Sequence, residues 1–250
     1  MSAKLLDDSV RGILLDIEGT STPIAFVHEV LFSYARAHAA DFLNTHFDSE
    51  EVRTDIALLR EEHARDLRNG EHPPLLSDDS RSLEIESLAA YIDWLIDRDR
   101  KSTGLKSLQG KIWREGYRGR SLQSQVFADL APALARWHTR GLNISIFSSG
   151  SVLAQQLLFA HTEAGDLTNF INSYFDTSIG KKSEAESYRR IAEALNLQPG
   201  EVMFVSDVTS ELEAAHEAGM RIVLSLRPGN APQNSAQKYQ TIHSLDELCV

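Results

Sequence analysis

Four short, mostly apolar runs set the strongest limit on what this chain can become. They are Gly12–Leu15, Leu142–Phe147, Val202–Val205 and Arg221–Leu226, and each breaks off at a polar or turn-forming residue. Runs of this length are too short for stable helices. They lack the alternation of a half-exposed strand, so they read as strands buried on both faces. A fifth segment, Phe170–Phe175, reads as a short strand or turn. Between them lie helical patterns: Phe127–Arg140 stopped by Gly141, Val152–His161, Glu184–Leu195, and Ser210–Ala218 closed by Gly219. Glycine just past the last periodic residue is a common helix terminator. Strands alternating with helices predict an α/β fold, a three-layer doubly wound parallel sheet with helices on both faces.

One stretch breaks the alternation. From about Ile24 to Tyr117 the apolar spacing is helical throughout, over Ile24–Phe47, Glu50–Arg68, Ser82–Asp99 and Lys106–Tyr117, with a break at Glu71–Asp79 around Pro73 and Pro74. The expected organisation is a core built from residues 1–23 and 121–250, with a helical insertion, 24–120, entering directly after the first strand. In parallel sheets ligands bind beyond the carboxyl ends of the strands. An insertion leaving from that end is therefore expected to act as a cap and to govern substrate choice, with Trp113 and Tyr117 as candidate contacts for an apolar substrate end.

The polar residues at the strand ends are the candidates for chemistry. Asp16 ends the first strand, and Glu18 follows in Asp16-Ile17-Glu18-Gly19-Thr20. Alone, an Asp there is a turn former or helix cap, and Glu18 a solvated loop carboxylate. Together they can divide labour as nucleophile and as acid and base, provided their surroundings separate their pKa values. Ser148-Ser149-Gly150-Ser151 follows the second strand; serine here caps a helix, and the same geometry makes an anion site from hydroxyl and amide groups. Lys181 and Lys182 precede a helix. Surface lysine pairs are ordinarily solvated, but opposite a phosphate and a carboxylate nucleophile one ammonium would stabilise both. Asp207, after Val202–Ser206, offers with Asp16 the oxygen ligands magnesium prefers.

Nucleophile loop, helical insertion, Ser loop, Lys loop and acidic loop occur in the order of the four motifs of the haloacid-dehalogenase superfamily, which they resemble. The strings DIEGT, FSSGS, FDT followed by KKSEAESY, SDVTSE and RPGN, with LKSLQGKIWREGY in the insertion, are similar to the enolase-phosphatase (acireductone synthase) family over essentially the whole chain. That resemblance implies a haloacid-dehalogenase-like core with a helical cap, and a magnesium-dependent enzyme of methionine salvage with one Mg2+ per subunit. Such an enzyme enolises 2,3-diketo-5-methylthiopentyl-1-phosphate and then dephosphorylates the enol phosphate to the acireductone. Carried over by position, Asp16 is nucleophile and metal ligand. Glu18 is acid and base and lends its backbone carbonyl to the metal. Ser148, Ser149 and Lys182 bind substrate, Lys182 rather than Lys181 by its distance from Ser187-Tyr188, and Asp207 is the remaining metal ligand. Most phosphatases of the superfamily carry Asp where this chain has Glu18; the longer arm agrees with the enolase-phosphatases.

Rival readings differ in what they require. A dehalogenase needs no acid two residues after its nucleophile, a phosphonatase needs a Schiff-base lysine from its cap, and a binding protein without catalysis needs neither Asp16 nor Asp207. A generic phosphatase of the same superfamily remains the alternative. The chain has 25 basic and 36 acidic residues, a net charge of -11, which argues against nucleic acid and anionic membrane as partners. Its one cysteine, Cys249, excludes an intramolecular disulfide and is assigned no role. No segment approaches the roughly 20 apolar residues of a membrane span, and MSAKLLDDSVRG, with Asp7 and Asp8, does not read as a signal peptide. The expectation is a monomeric cytoplasmic enzyme acting on a small phosphorylated molecule.

Overall fold

The computed structural model describes residues 6–232 and 238–248; Cys249 lies outside them. The chain divides into two compact units, Met1–Val27 with Gln123–Val250, and His28–Leu122.

The first unit is built on a six-stranded, all-parallel sheet of order β3-β2-β1-β4-β5-β6. The strands are β1 Gly12–Leu15, β2 Asn143–Phe147, β3 Ser173–Phe175, β4 Val202–Ser206, β5 Arg221–Ser225 and β6 Thr241–Ile242. Every residue of β1 and β4 is buried, which is why those runs carry no polar alternation. Side chains of β1 and β4 divide by pleat. Leu14 and Phe204 join Phe147 of β2 in one core, closed by Tyr188 and Ile191 of a helix over Ala185–Ala194 and by Leu212 and Ala215 of a helix over Thr209–Glu217. Two further helices, Leu130–Thr139 against β2 and Val152–Ala160 against β3, complete the three layers. In chain order the helices are numbered α5 (Leu130–Thr139), α6 (Val152–Ala160), α7 (Ala185–Ala194) and α8 (Thr209–Glu217), after four in the second unit.

That second unit holds α1 Ser33–His46, α2 Glu50–Arg68, α3 Arg81–Ile96 and α4 Thr103–Arg118. Ser49, Ser80 and Ser102 each place a hydroxyl as acceptor for a backbone amide in the first turn of α2, α3 and α4, at 3.2–3.3 Å. The core is formed by Leu43, Leu59, Leu88, Tyr91, Ile92 and Leu108 among others. Two charges are buried inside it as partners: the Lys111 ammonium lies 2.5 Å from the Asp55 carboxylate. Asp66 accepts from the Tyr91 hydroxyl at 2.8 Å and from Arg100 at 2.6 Å.

Two departures from the sequence pattern are instructive. The helical pattern expected over Ile24–Phe47 begins as a π-helical segment, Phe26–Phe32, before α1. Phe26 and Leu31, five apart, are both buried, and a five-residue return suits the wider π winding. The edge strand β6 is two residues long, too short to show in periodicity. Trp113 and Tyr117 are both buried, and Trp113 donates to the Leu31 carbonyl at 2.8 Å and stacks on Phe32.

Candidate active site

Register brings the acidic residues together. Leu15 of β1 pairs with Val205 of β4, so Asp16 and Asp207 leave neighbouring strands at the same end of the sheet. The Asp16 amide donates to the Val205 carbonyl at 3.0 Å. Both carboxylates are buried.

The loop after Asp16 closes on itself. The amides of Thr20, Ser21 and Thr22 all donate to the Ile17 carbonyl, at 2.9–3.2 Å, and the Ser21 hydroxyl donates to the Asp16 carbonyl at 2.7 Å. Gly19 takes φ +70°, and a Cβ there would collide with the Asp207 carboxylate. A glycine is therefore required twice over, for the left-handed backbone and for the approach of Asp207. Glu18 stands half-buried in this loop.

Lys182 is drawn into the site and Lys181 is not. The Lys182 ammonium donates to Asp16 Oδ1 at 2.5 Å and to Glu211 Oε2 at 2.7 Å, and it sits 5.7 Å from the centre of the Phe147 ring. Lys181 is 77% exposed and pairs with Glu184 at 3.2 Å. The backbone of the pair is pinned from α7: the Ser187 hydroxyl donates to the Lys181 carbonyl and the Tyr188 hydroxyl to the Lys182 carbonyl, each at 2.7 Å.

On the other side of β1, β2 ends at Phe147 and delivers Ser148, buried, and Ser149, half-buried. The Ser148 amide donates to the Phe175 carbonyl, and its hydroxyl accepts from the Gly150 amide, both at 3.1 Å. Ser151 caps α6 through the Ala154 amide at 3.3 Å. The helix-cap reading of this serine run thus belongs to Ser151, leaving Ser148 and Ser149 in the loop ahead of the helix amides.

Glu211 is the site residue that the strand-end argument did not reach. It lies inside α8, four residues after Asp207, and accepts from the Ser206 hydroxyl at 3.0 Å as well as from Lys182.

The electrostatics follow from three buried carboxylates around one ammonium. Burial pushes Asp207 up to about 7, the negative charges of Asp16 and Glu211 add to this, and Lys182 pulls against it. Glu211 is likewise pushed up to about 7 by burial and then by Asp16, again opposed by Lys182. For Lys182, burial disfavours the charged form most strongly, yet Asp16 and Glu211 outweigh it and its pKa is raised. Charge balance calls for a further cation. Among the described residues no three His, Cys, Asp or Glu side chains are arranged to hold a metal ion. The available donors are carboxylate and carbonyl oxygens, with Asp16 and Asp207 adjacent. Such a set suits magnesium, which takes one or two carboxylates and fills its octahedron with water and phosphate oxygen.

Known proteins resemble this chain. The haloacid dehalogenase-like hydrolase family matches residues 10–219. Enolase-phosphatase E1 of Synechococcus elongatus is 53% identical over 96% of this chain and 98% of its own length. The chain belongs to the enolase-phosphatase E1 family of haloacid dehalogenase-like hydrolases. A plant relative of this enolase-phosphatase, from Arabidopsis thaliana, is a probable bifunctional methylthioribulose-1-phosphate dehydratase/enolase-phosphatase E1. It is 44% identical over 95% of this chain, which spans 48% of that longer protein. Among solved structures, the UTR4 protein of Saccharomyces cerevisiae aligns with the enolase-phosphatase chain at a TM-score of 0.74 and 34% identity, covering 94% of this chain and 98% of its own.

Proposed function

We propose that this enzyme is the bifunctional enolase-phosphatase of methionine salvage. It enolises 2,3-diketo-5-methylthiopentyl-1-phosphate and dephosphorylates the enol phosphate to 1,2-dihydroxy-3-keto-5-methylthiopentene. The observation that carries the reading is the buried Lys182 bridge between Asp16 and Glu211, with Asp207 packed against Gly19 at the same strand ends.

In this reading Asp16 is the nucleophile. Lys182 aims its carboxylate and lowers the repulsion between it and an incoming phosphate. Asp16 Oδ attacks phosphorus, the ester oxygen leaves, and an aspartyl phosphate forms. Glu18 gives its proton to the leaving oxygen and then takes one from the water that hydrolyses the aspartyl phosphate. Ser148, Ser149 and the amides at the start of α6 hold the phosphate oxygens. Asp16, Asp207 and the backbone carbonyl of Glu18 would hold one magnesium per subunit. When bound, it would supply positive charge to the phosphate for dephosphorylation and polarise the diketone for enolisation. The helical unit, inserted between the nucleophile loop and β2, is assigned as the substrate-selecting cap. The net charge of -11 supports an enzyme without nucleic-acid or membrane partners, and the single cysteine fits a cytoplasmic one; a monomer is part of the proposal.

The test is incubation with the diketone phosphate while enol absorbance and phosphate release are followed together. Enol absorbance rising ahead of phosphate supports both activities. Phosphate release from simple monoesters, with no turnover of the diketone, would leave a generic phosphatase instead.

A further inference from the structure

Gly19 is the most mobile kind of residue in the most demanding place, between Glu18 and the loop that closes on Ile17. Its amide is fixed, because it donates to the Thr22 carbonyl at 2.8 Å. That bond sets the peptide plane shared with Glu18. The plane on the other side of Gly19 is held from a distant part of the chain: the Asn230 side-chain amide donates to the Gly19 carbonyl at 3.0 Å. The same amide group donates to the Ser225 carbonyl at 3.3 Å, at the end of β5.

Asn230 is itself presented rigidly. The segment Arg227-Pro228-Gly229-Asn230 is a β-turn whose Asn230 amide donates to the Arg227 carbonyl at 3.1 Å, with Gly229 at φ +90°. Proline second and a positive-φ glycine third are the marks of a type II turn. The turn is anchored at its first residue, where the buried Arg227 guanidinium donates to Asp129 at 2.7 Å and to the His243 carbonyl at 2.8 Å. The Asn230 side chain also closes the space beside Gly19: a Cβ built there would lie 2.9 Å from Asn230 Oδ1, with the Asp207 carboxylate crowding it too.

We propose that Asn230 is a positioning residue for the phosphatase step. Through the Gly19 carbonyl it holds the Gly19–Thr20 peptide, so that with the Gly19 amide held by Thr22 both torsions of Gly19 are set, and with them the aim of the Glu18 carboxyl. This rests on the reading of Glu18 as the acid and base. Without the bond, the Gly19–Thr20 peptide keeps only its Thr20 amide tie to Ile17, the glycine torsions loosen more readily than those of any other residue, and Glu18 loses part of the fixed geometry that proton transfer needs. Misplacement on the scale of an ångström costs up to about 100-fold in rate. Asn230 acts through the Gly19 carbonyl, so the loss is expected to fall on kcat and to leave KM largely unchanged.

The experiment is a double-mutant cycle of Asn230→Ala and Glu18→Gln, reading phosphate release from the diketone phosphate. Asn230→Ser serves as a second variant, since serine is tolerated at the end of a turn but is too short to reach Gly19. Expected are a fall of about 10- to 100-fold in kcat for either Asn230 variant, KM within a few-fold, and a double mutant no slower than Glu18→Gln alone. Effects that do not multiply mean that the two residues act as a unit. If Glu18→Gln is impaired and Asn230→Ala multiplies its loss, Asn230 acts elsewhere and the proposal is overturned. If Glu18→Gln keeps the wild-type kcat, it is the acid-base role of Glu18 that fails, and the assignment of Asn230 falls with it.

Discussion

Lys182→Ala tests the site most directly, because its magnitude follows from geometry. The ammonium makes two charge-assisted contacts, 2.5 Å to Asp16 and 2.7 Å to Glu211, with 11% of its side chain exposed. Removing one partner of a buried ion pair costs about 3–5 kcal/mol when the remaining charge stays buried. Here two carboxylates would be left, with Asp207 beside them. Without the ammonium Asp16 is neither aimed nor shielded from the charge of the phosphate, so the loss appears in turnover. Taking about 2–4 kcal/mol for one preorganised contact in a desolvated site, kcat/KM should fall about 30- to 1000-fold. Lys181→Ala removes only an exposed pair with Glu184, worth about 0–1 kcal/mol, and should change kcat/KM less than about fivefold. Phosphate release from the diketone phosphate, with thermal melting recorded for both variants, is the assay. If the Lys181 variant is the more damaged in kcat/KM, or the two are equal, the role given to Lys182 is wrong.

Three further outcomes follow from the same site. Excess chelator should abolish phosphate release and added magnesium should restore it; release that continues undiminished in chelator would remove the metal from the reading. Gly19→Ala places a methyl group where the Asp207 carboxylate lies, at a backbone φ of +70°; the magnesium concentration for half-maximal activity should rise about 10- to 100-fold, and an unchanged magnesium titration would refute this. Asp16→Asn cannot form the aspartyl phosphate, so phosphate release should fall by several orders of magnitude. Enolisation should persist in part, seen as enol absorbance without free phosphate, and phosphate release at the wild-type rate would show that Asp16 is not the nucleophile.

What could be read from the sequence, and what could not, has a physical boundary. Strands buried on both faces announce themselves as uninterrupted apolar runs, and β1, β2, β4 and β5 fall within a residue or two of the expected segments. Where such a run stops, the first polar residues stand at the carboxyl end of the sheet, so Asp16, Ser148 and Asp207 were accessible to the argument. Glu211 was not, because a glutamate in the first turn of α8 looks like a partner for the helix dipole. Only the register of α8 against the Lys182 loop gives it another meaning. The choice between Lys181 and Lys182 lay beyond periodicity as well. The structure separates them by the two hydroxyls of α7, from Ser187 and Tyr188, which fix the loop so that one side chain turns inward. Asn230 was visible only as part of a turn, since its partner lies 211 residues away.

The charge of the chain and the charge of its substrate are reconciled locally. A net charge of -11 repels a phosphate at long range, but at about 8 Å per Debye length in physiological salt that field is largely screened. At contact distance the balance is set by Asp16, Asp207 and Glu211 against Lys182. One ammonium cannot offset three carboxylates and an incoming dianion. Protonation is one remedy, and burial together with the neighbouring carboxylates pushes Asp207 and Glu211 upward in that direction. It would also disarm a donor set of carboxylate oxygens. A divalent cation restores balance while keeping those oxygens ionised, and it gives the phosphate a partner. Affinities for cation and phosphate must then be coupled, each raising the other by the same factor. The acidic character of the site is therefore compatible with phosphate chemistry through that coupling, with Lys182 supplying the one positive side chain against Asp16 and Glu211.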